Sequence, residues 1–135
     1  MKTLLISTCA YALNDREFVF PISEILGENK HDILYFEDCN EKIVSSYNRI
    51  IICGTTLQDS FYIGWLQFFD DLLKKFDGPI LGICSGMQIL TSIFGISGLI
   101  DNVEIGMVEV KTLKPNKLFE GTFQAYNLHR YSVQD

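Results

Sequence analysis

Residues 79–90, Pro-Ile-Leu-Gly-Ile-Cys-Ser-Gly-Met-Gln-Ile-Leu, restrict the fold more than any other stretch. A short apolar run ends in Gly82-Ile83-Cys84-Ser85-Gly86 and passes without a break into a second apolar pattern. A buried strand that turns straight into a helix needs small residues around the turn, because the backbone is tight and its neighbours come close. Such a turn holds one side chain, here Cys84, above the end of the strand. This is a nucleophile elbow with sulfur in place of oxygen. The helix that starts after Cys84 directs its positive end at the sulfur, which predicts a lowered thiol pKa and a reactive thiolate. The competing reading of Cys84 is an inert buried thiol, the usual state of a free cysteine.

Other segments extend the strand-then-helix pattern. Residues 4–6 form a short apolar run between polar residues and predict a buried strand. Asn14 and Asp15 can cap a helix carrying Phe18, Val19, Ile22, Ile25 and Leu26 inward, with Pro21 in its first turn or at a kink and Gly27 at its end. Residues 32–36 predict a second strand. Residues 49–54 predict a third, whose unbroken apolar run fits a parallel strand buried on both faces. Residues 63–76 have helical spacing, with Trp65, Phe68, Phe69, Leu72 and Leu73 inward as core and Asp70, Asp71, Lys74 and Lys75 outward. Residues 79–83 predict a fourth strand and 86–94 a helix. The expected fold is α/β, an open, mostly parallel sheet with helices on both faces, flavodoxin-like in layout. Ligands of such sheets bind at the carboxyl ends of the strands, where Gly54 and Cys84 can meet. Beyond residue 104 the pattern alternates instead, predicting an extended arm over 104–113, a turn over 115–121 and a second extended run over 123–131.

Composition narrows the function. A chain of 135 residues with 47% hydrophobic residues suits one domain with a real core. A net charge of -6 argues against a nucleic-acid partner, since phosphate binding needs a basic face. The four cysteines, Cys9, Cys39, Cys53 and Cys84, form no Cys-x-x-Cys pair, and His31 and His129 stand alone, so neither a structural metal nor a disulfide frame is expected. Cys9 and Cys53 each end an apolar run, which fits a reducing, cytoplasmic setting. The apolar N-terminus is too short for a signal peptide, and no run has the length of a membrane span. No cofactor is implied. Glu37, Asp38 and Glu41 read as a solvated loop, and His31 as a surface residue.

Gly82-Ile83-Cys84-Ser85-Gly86-Met87-Gln88 resembles the nucleophile motif of class I (triad) glutamine amidotransferase domains, which release ammonia from glutamine for a biosynthetic partner. Three more segments resemble that family in the same order. Ile50-Ile51-Ile52-Cys53-Gly54-Thr55-Thr56 is similar to its strand and oxyanion loop, and Glu104-Ile105-Gly106-Met107 to its Ile-Gly segment. Leu118-Phe119-Glu120-Gly121, followed by Leu128-His129-Arg130-Tyr131-Ser132-Val133, is similar to its Leu-Phe-x-Gly and His-x-Tyr-x-Val stretch. The resemblance covers about residues 50–133.

The resemblance implies that Cys84 attacks the side-chain amide of L-glutamine to form a thioester. It further implies that the backbone N–H groups of Gly54 and Ser85 form the oxyanion hole, that Gln88 contacts the substrate, and that the main chain at Arg130 and Tyr131 holds its amino-acid end. A synthase subunit or domain would receive the ammonia, and the acceptor stays open.

Two departures matter. The family's second loop glycine is replaced by Thr56, whose side chain could crowd the pocket. The family's catalytic His and Glu sit in a His-Pro-Glu motif that these residues do not contain. The expectation is therefore a single domain over residues 1–135 that stops before that motif and is slow or inactive as a glutaminase by itself. His129 matches the substrate-binding segment rather than the base. Two rival readings remain: a catalytically silent glutamine- or partner-binding module of the same fold, and a γ-glutamyl peptidase-like hydrolase.

Overall fold

The computed structural model describes residues 1–95 and 98–133. Four strands, β1 (Thr3–Ser7), β2 (His31–Tyr35), β3 (Arg49–Ile52) and β4 (Ile80–Gly82), form a parallel sheet in the order β2-β1-β3-β4. Every residue of β1 is buried, as its central place requires. Leu4 lies opposite Asp32 of β2 on one side and Ile50 of β3 on the other. Parallel neighbours need a crossover rather than a tight turn. Helical segments fill each connection: α1 (Asp15–Phe18) and α2 (Phe20–Leu26), then α3 (Glu41–Val44), then α4 (Leu66–Leu73), with α5 (Ser85–Phe94) after β4.

Period-two alternation sorts the strand residues onto two faces. Leu4, Ile6, Ile50 and Ile52 point to the larger core, where they meet Phe69, Leu72 and Leu73 of α4 and Ile89 of α5. Leu5 and Cys53, with Ile33 and Ile51 beside them, point to the opposite face, where Val19, Phe18, Ile22 and Leu26 cover them. Helices therefore lie on both faces. Tyr62, Trp65, Phe68 and Phe69 belong to the larger core, with the Phe36 ring 5.3 Å from Phe69 and edge-on to Trp65 at 5.4 Å, centroid to centroid.

Three local expectations change. The helix foreseen after residue 14 is two, with Val19 between them, because Pro21 has no N–H to continue a helix and sits in the first turn of α2. Asn14 caps nothing, and Ile25, expected inward, is 80% exposed. The break after α1 resets the helical phase and turns Ile25 outward. The segment before α4 is a 3-10 turn (Phe61–Trp65), so the α-helix starts at Leu66. Past α5, β5 (Leu99–Lys111) and β6 (Thr122–Val133) form a separate antiparallel pair with Gly106 opposite Asn127. Ile105, Met107, Tyr126 and Leu128 line one exposed side of this ribbon, and β6 runs beside α5.

Candidate active site

The elbow is held by close backbone packing. After Gly82, the Ile83 N–H still bonds the Ile52 carbonyl at 2.9 Å, and the chain then reverses. Cys84 takes φ 52, the one positive φ at a non-glycine residue among the described residues. That strain persists only where the surroundings over-determine it, and the glycines supply the surroundings. A Cβ on Gly86 would lie 2.2 Å from the Ile52 carbonyl oxygen, and one on Gly82 would lie 2.4 Å from the Gly86 carbonyl carbon. The hydroxyls of Ser85 and Thr8 sit 2.8 Å apart, and each reaches the Cys53 carbonyl at 3.1 Å. These contacts pin the first turn of α5 to the ends of β1 and β3.

Gly54 brings the loop after β3 against the elbow. A Cβ there would stand 3.1 Å from the Cys84 Cβ. The backbone amides of Ser85 and of Thr55, one residue beyond Gly54, lie near enough to the sulfur to favour its thiolate form. Thr56 lines the crevice, and the loop remains over the sulfur.

The expected depression of the thiol pKa is not found. Burial pushes the Cys84 thiol above its ordinary value, and the Ser85 and Thr55 amides pull it back only in part. Burial of a thiolate costs more here than the two amides return. Burial also pushes Cys9 up to about 11 and Cys39 and Cys53 up to about 12. All four thiols are free, and Cys84 alone is only half-buried.

The crevice in front of Cys84 is lined by Thr55, Tyr62, Gln88, Leu128 and Tyr131 among others. Gln88 is 2% exposed and fully engaged. Its Oε1 accepts from the Tyr62 hydroxyl, and its Nε2 donates to the Tyr131 carbonyl at 2.7 Å. It thereby ties α5 to β6. The Arg130 guanidinium pairs with Asp101, at 2.8 Å from Nη2 to Oδ2, and Arg130 also borders the crevice. The thiol's own acceptor is the Leu128 carbonyl, at 3.9 Å. His129 borders the same crevice, with Nε2 3.0 Å from Glu104 Oε2 and Nδ1 buried without a partner.

Sequence reasoning passed over Thr8, Asp59 and Tyr62. Thr8 and Tyr62 come from other elements, so nothing in residues 79–90 points to them. Among the described residues, no three His, Cys, Asp or Glu side chains gather as a metal site, and no helix is long and apolar enough to cross a membrane.

Comparison with known proteins adds the family. The model of the family described as glutamine amidotransferase class-I matches residues 22–135. No curated protein matches the chain. Solved structures share the fold. They include a candidate GMP synthase subunit of Thermoplasma acidophilum, with a TM-score of 0.79, 15% identity, and 98% of this chain and 66% of that one covered. A glutamine amidotransferase of Thermotoga maritima has a TM-score of 0.71, 20% identity, and 98% and 62% covered. A glutamine amido transferase of Methylobacillus flagellatus has a TM-score of 0.68, 16% identity, and 98% and 57% covered. The chain thus spans less than two thirds of the length of each.

Proposed function

The chain belongs to the class I glutamine amidotransferase family, and we propose that it binds L-glutamine in the crevice at Cys84 and opens the side-chain amide through a thioester. The observation that carries this reading is a strained, positive-φ Cys84 at the head of α5 in a crevice that Thr55 and Ser85 also line. The thiolate adds to the amide carbon and the carbonyl electrons move onto oxygen. Ammonia leaves with a proton as the C–N bond breaks, and water then splits the thioester to glutamate and the free thiol. Donors beside the sulfur favour the developing oxyanion, each worth about 3 kcal/mol in favourable cases. The Tyr131 main chain, set by Gln88, would receive the amino-acid end. Ammonia would pass to a synthase subunit or domain, which the name of the Thermoplasma relative supports.

The thiol needs a proton acceptor, and the group it touches is a carbonyl. Base assistance contributes roughly a hundred- to ten-thousand-fold, so residues 1–135 alone are proposed to turn over glutamine slowly or not at all. That contact also supports the alternative of a silent module that binds glutamine without cleaving it.

The test pairs two measurements. A glutamine analogue carrying a chloroketone in place of the amide should alkylate Cys84 first, and excess L-glutamine should protect it. Alkylation without protection would refute glutamine binding. Glutamate release is then compared with a Cys84→Ala control. Release at about 1 per second or faster would overturn the slow-turnover reading and mean that His129 or another group serves as base.

A further inference from the structure

We propose that Asp59 is a positioning residue that holds the Thr55 amide on the Cys84 sulfur. The proposal rests on the acyl-transfer reading of the crevice and adds a residue that the motif does not contain. One carboxylate oxygen, Asp59 Oδ2, collects three donors from two loops. It accepts from the Thr55 hydroxyl at 2.6 Å, from the Ala10 N–H at 3.0 Å and from the Asn14 side-chain amide at 3.4 Å. The Asp59 N–H closes the turn by donating to the Thr56 carbonyl at 3.0 Å. The loop after β3 is thereby tied to the loop after β1 at Thr55, which shares the crevice with Cys84 and whose amide favours the thiolate there.

Residues 54–56 read Gly-Thr-Thr, with no proline to stiffen them. An unrestrained loop amide would lose conformational entropy each time it met the thiolate or an oxyanion. A charge-assisted bond from the buried Thr55 hydroxyl to Asp59 removes that freedom beforehand. Thr55 commits its side chain to Asp59 and keeps its N–H for the sulfur.

Asp59 also carries negative charge into the crevice wall, and charge alone would disfavour a thiolate. The two roles predict opposite results. The other ionisable groups bordering the crevice are Tyr62, His129, Arg130 and Tyr131. Burial holds the Tyr62 phenol above its ordinary value, and the Arg130 guanidinium is engaged by Asp101.

The experiment measures alkylation of Cys84 by iodoacetamide across pH, by peptide mapping, in wild type and in Asp59→Ala, Asp59→Asn and Thr55→Val. If Asp59 positions the amide, Asp59→Ala and Thr55→Val raise the pH midpoint by about one unit, the equivalent of tenfold in thiolate fraction. Asp59→Asn keeps an oxygen acceptor without the charge and restores the midpoint. Midpoints unchanged in both disruptive variants would overturn the proposal. So would a lowered midpoint in Asp59→Ala and Asp59→Asn alike, which would mark a charge effect. Should Asp59→Ala open the fold and expose Cys9, Cys39 and Cys53, Thr55→Val decides the matter, being nearly isosteric. The readout needs no glutamine. A chain that failed to bind glutamine while the midpoints moved as expected would sink the functional reading and leave the positioning role standing.

Discussion

Gly86→Ala puts the elbow's packing under the most direct strain. The new Cβ would lie 2.2 Å from the Ile52 carbonyl oxygen and 2.8 Å from the Ile52 Cβ, whereas real Cβ contacts stay beyond 3.0 Å, so α5 and β3 must separate by about 0.8 Å or more. Neither partner can yield by rotating a side chain, because the nearest atom is backbone of a strand paired on both sides. Overpacking of this kind costs about 1–3 kcal/mol and reaches the upper end when backbone must move. Alanine returns at most about 1 kcal/mol of helix propensity, less in a first turn. The net expectation is a loss of about 2 kcal/mol, read as a fall of roughly 1 M in the urea midpoint. Gly64→Ala is the control, since its Cβ would meet nothing within 4 Å. Unfolding is followed by circular dichroism. A Gly86→Ala variant as stable as wild type, or no worse than Gly64→Ala, would refute the claim that the helix is seated on the strand through this glycine.

Two further predictions concern strain and charge. Cys84→Gly should be more stable than Cys84→Ala by about 1 kcal/mol, because a φ of 52 costs alanine about 1–3 kcal/mol and glycine's extra chain entropy offsets only part of the relief; paired denaturant titrations check this, and equal midpoints would argue against stored strain. Lys2 and the Tyr47 hydroxyl hold the Asp32 carboxyl below its ordinary value of 3.8. A depressed carboxylate stabilises the fold above that ordinary value and stops doing so as pH falls through the folded one. Asp32→Asn should therefore lose less than about 1 kcal/mol at pH 7, the site being partly exposed, and the gap to wild type should close as pH drops below 3.8; a gap unchanged at low pH would exclude the linkage.

Sequence alone determined what depends on local chemistry and short-range periodicity. Residues 79–90 carry a strand, a glycine-flanked turn and a helix because each signal lies within a few residues of the next. The apolar run at 50–52 announces a strand buried on both faces. The extended, alternating stretches past residue 104 announce a hairpin, and the breaking effect of Pro21 is legible as a turn or a kink, though not as two helices with Ile25 turned outward. What sequence could not settle are quantities set by neighbours far along the chain. The Cys84 thiol stands above its ordinary value because burial outweighs the amides at the elbow. The loop after β3 is tied through the Asp59 carboxylate to Ala10 and Asn14, nearly fifty residues earlier. Gln88 is occupied by Tyr62 and the Tyr131 carbonyl because folding brings the 3-10 turn before α4, the elbow helix and β6 to one point. Such contacts form only when the sheet order β2-β1-β3-β4 sets the carboxyl ends of its strands side by side, and no window of sequence short enough to read contains that order.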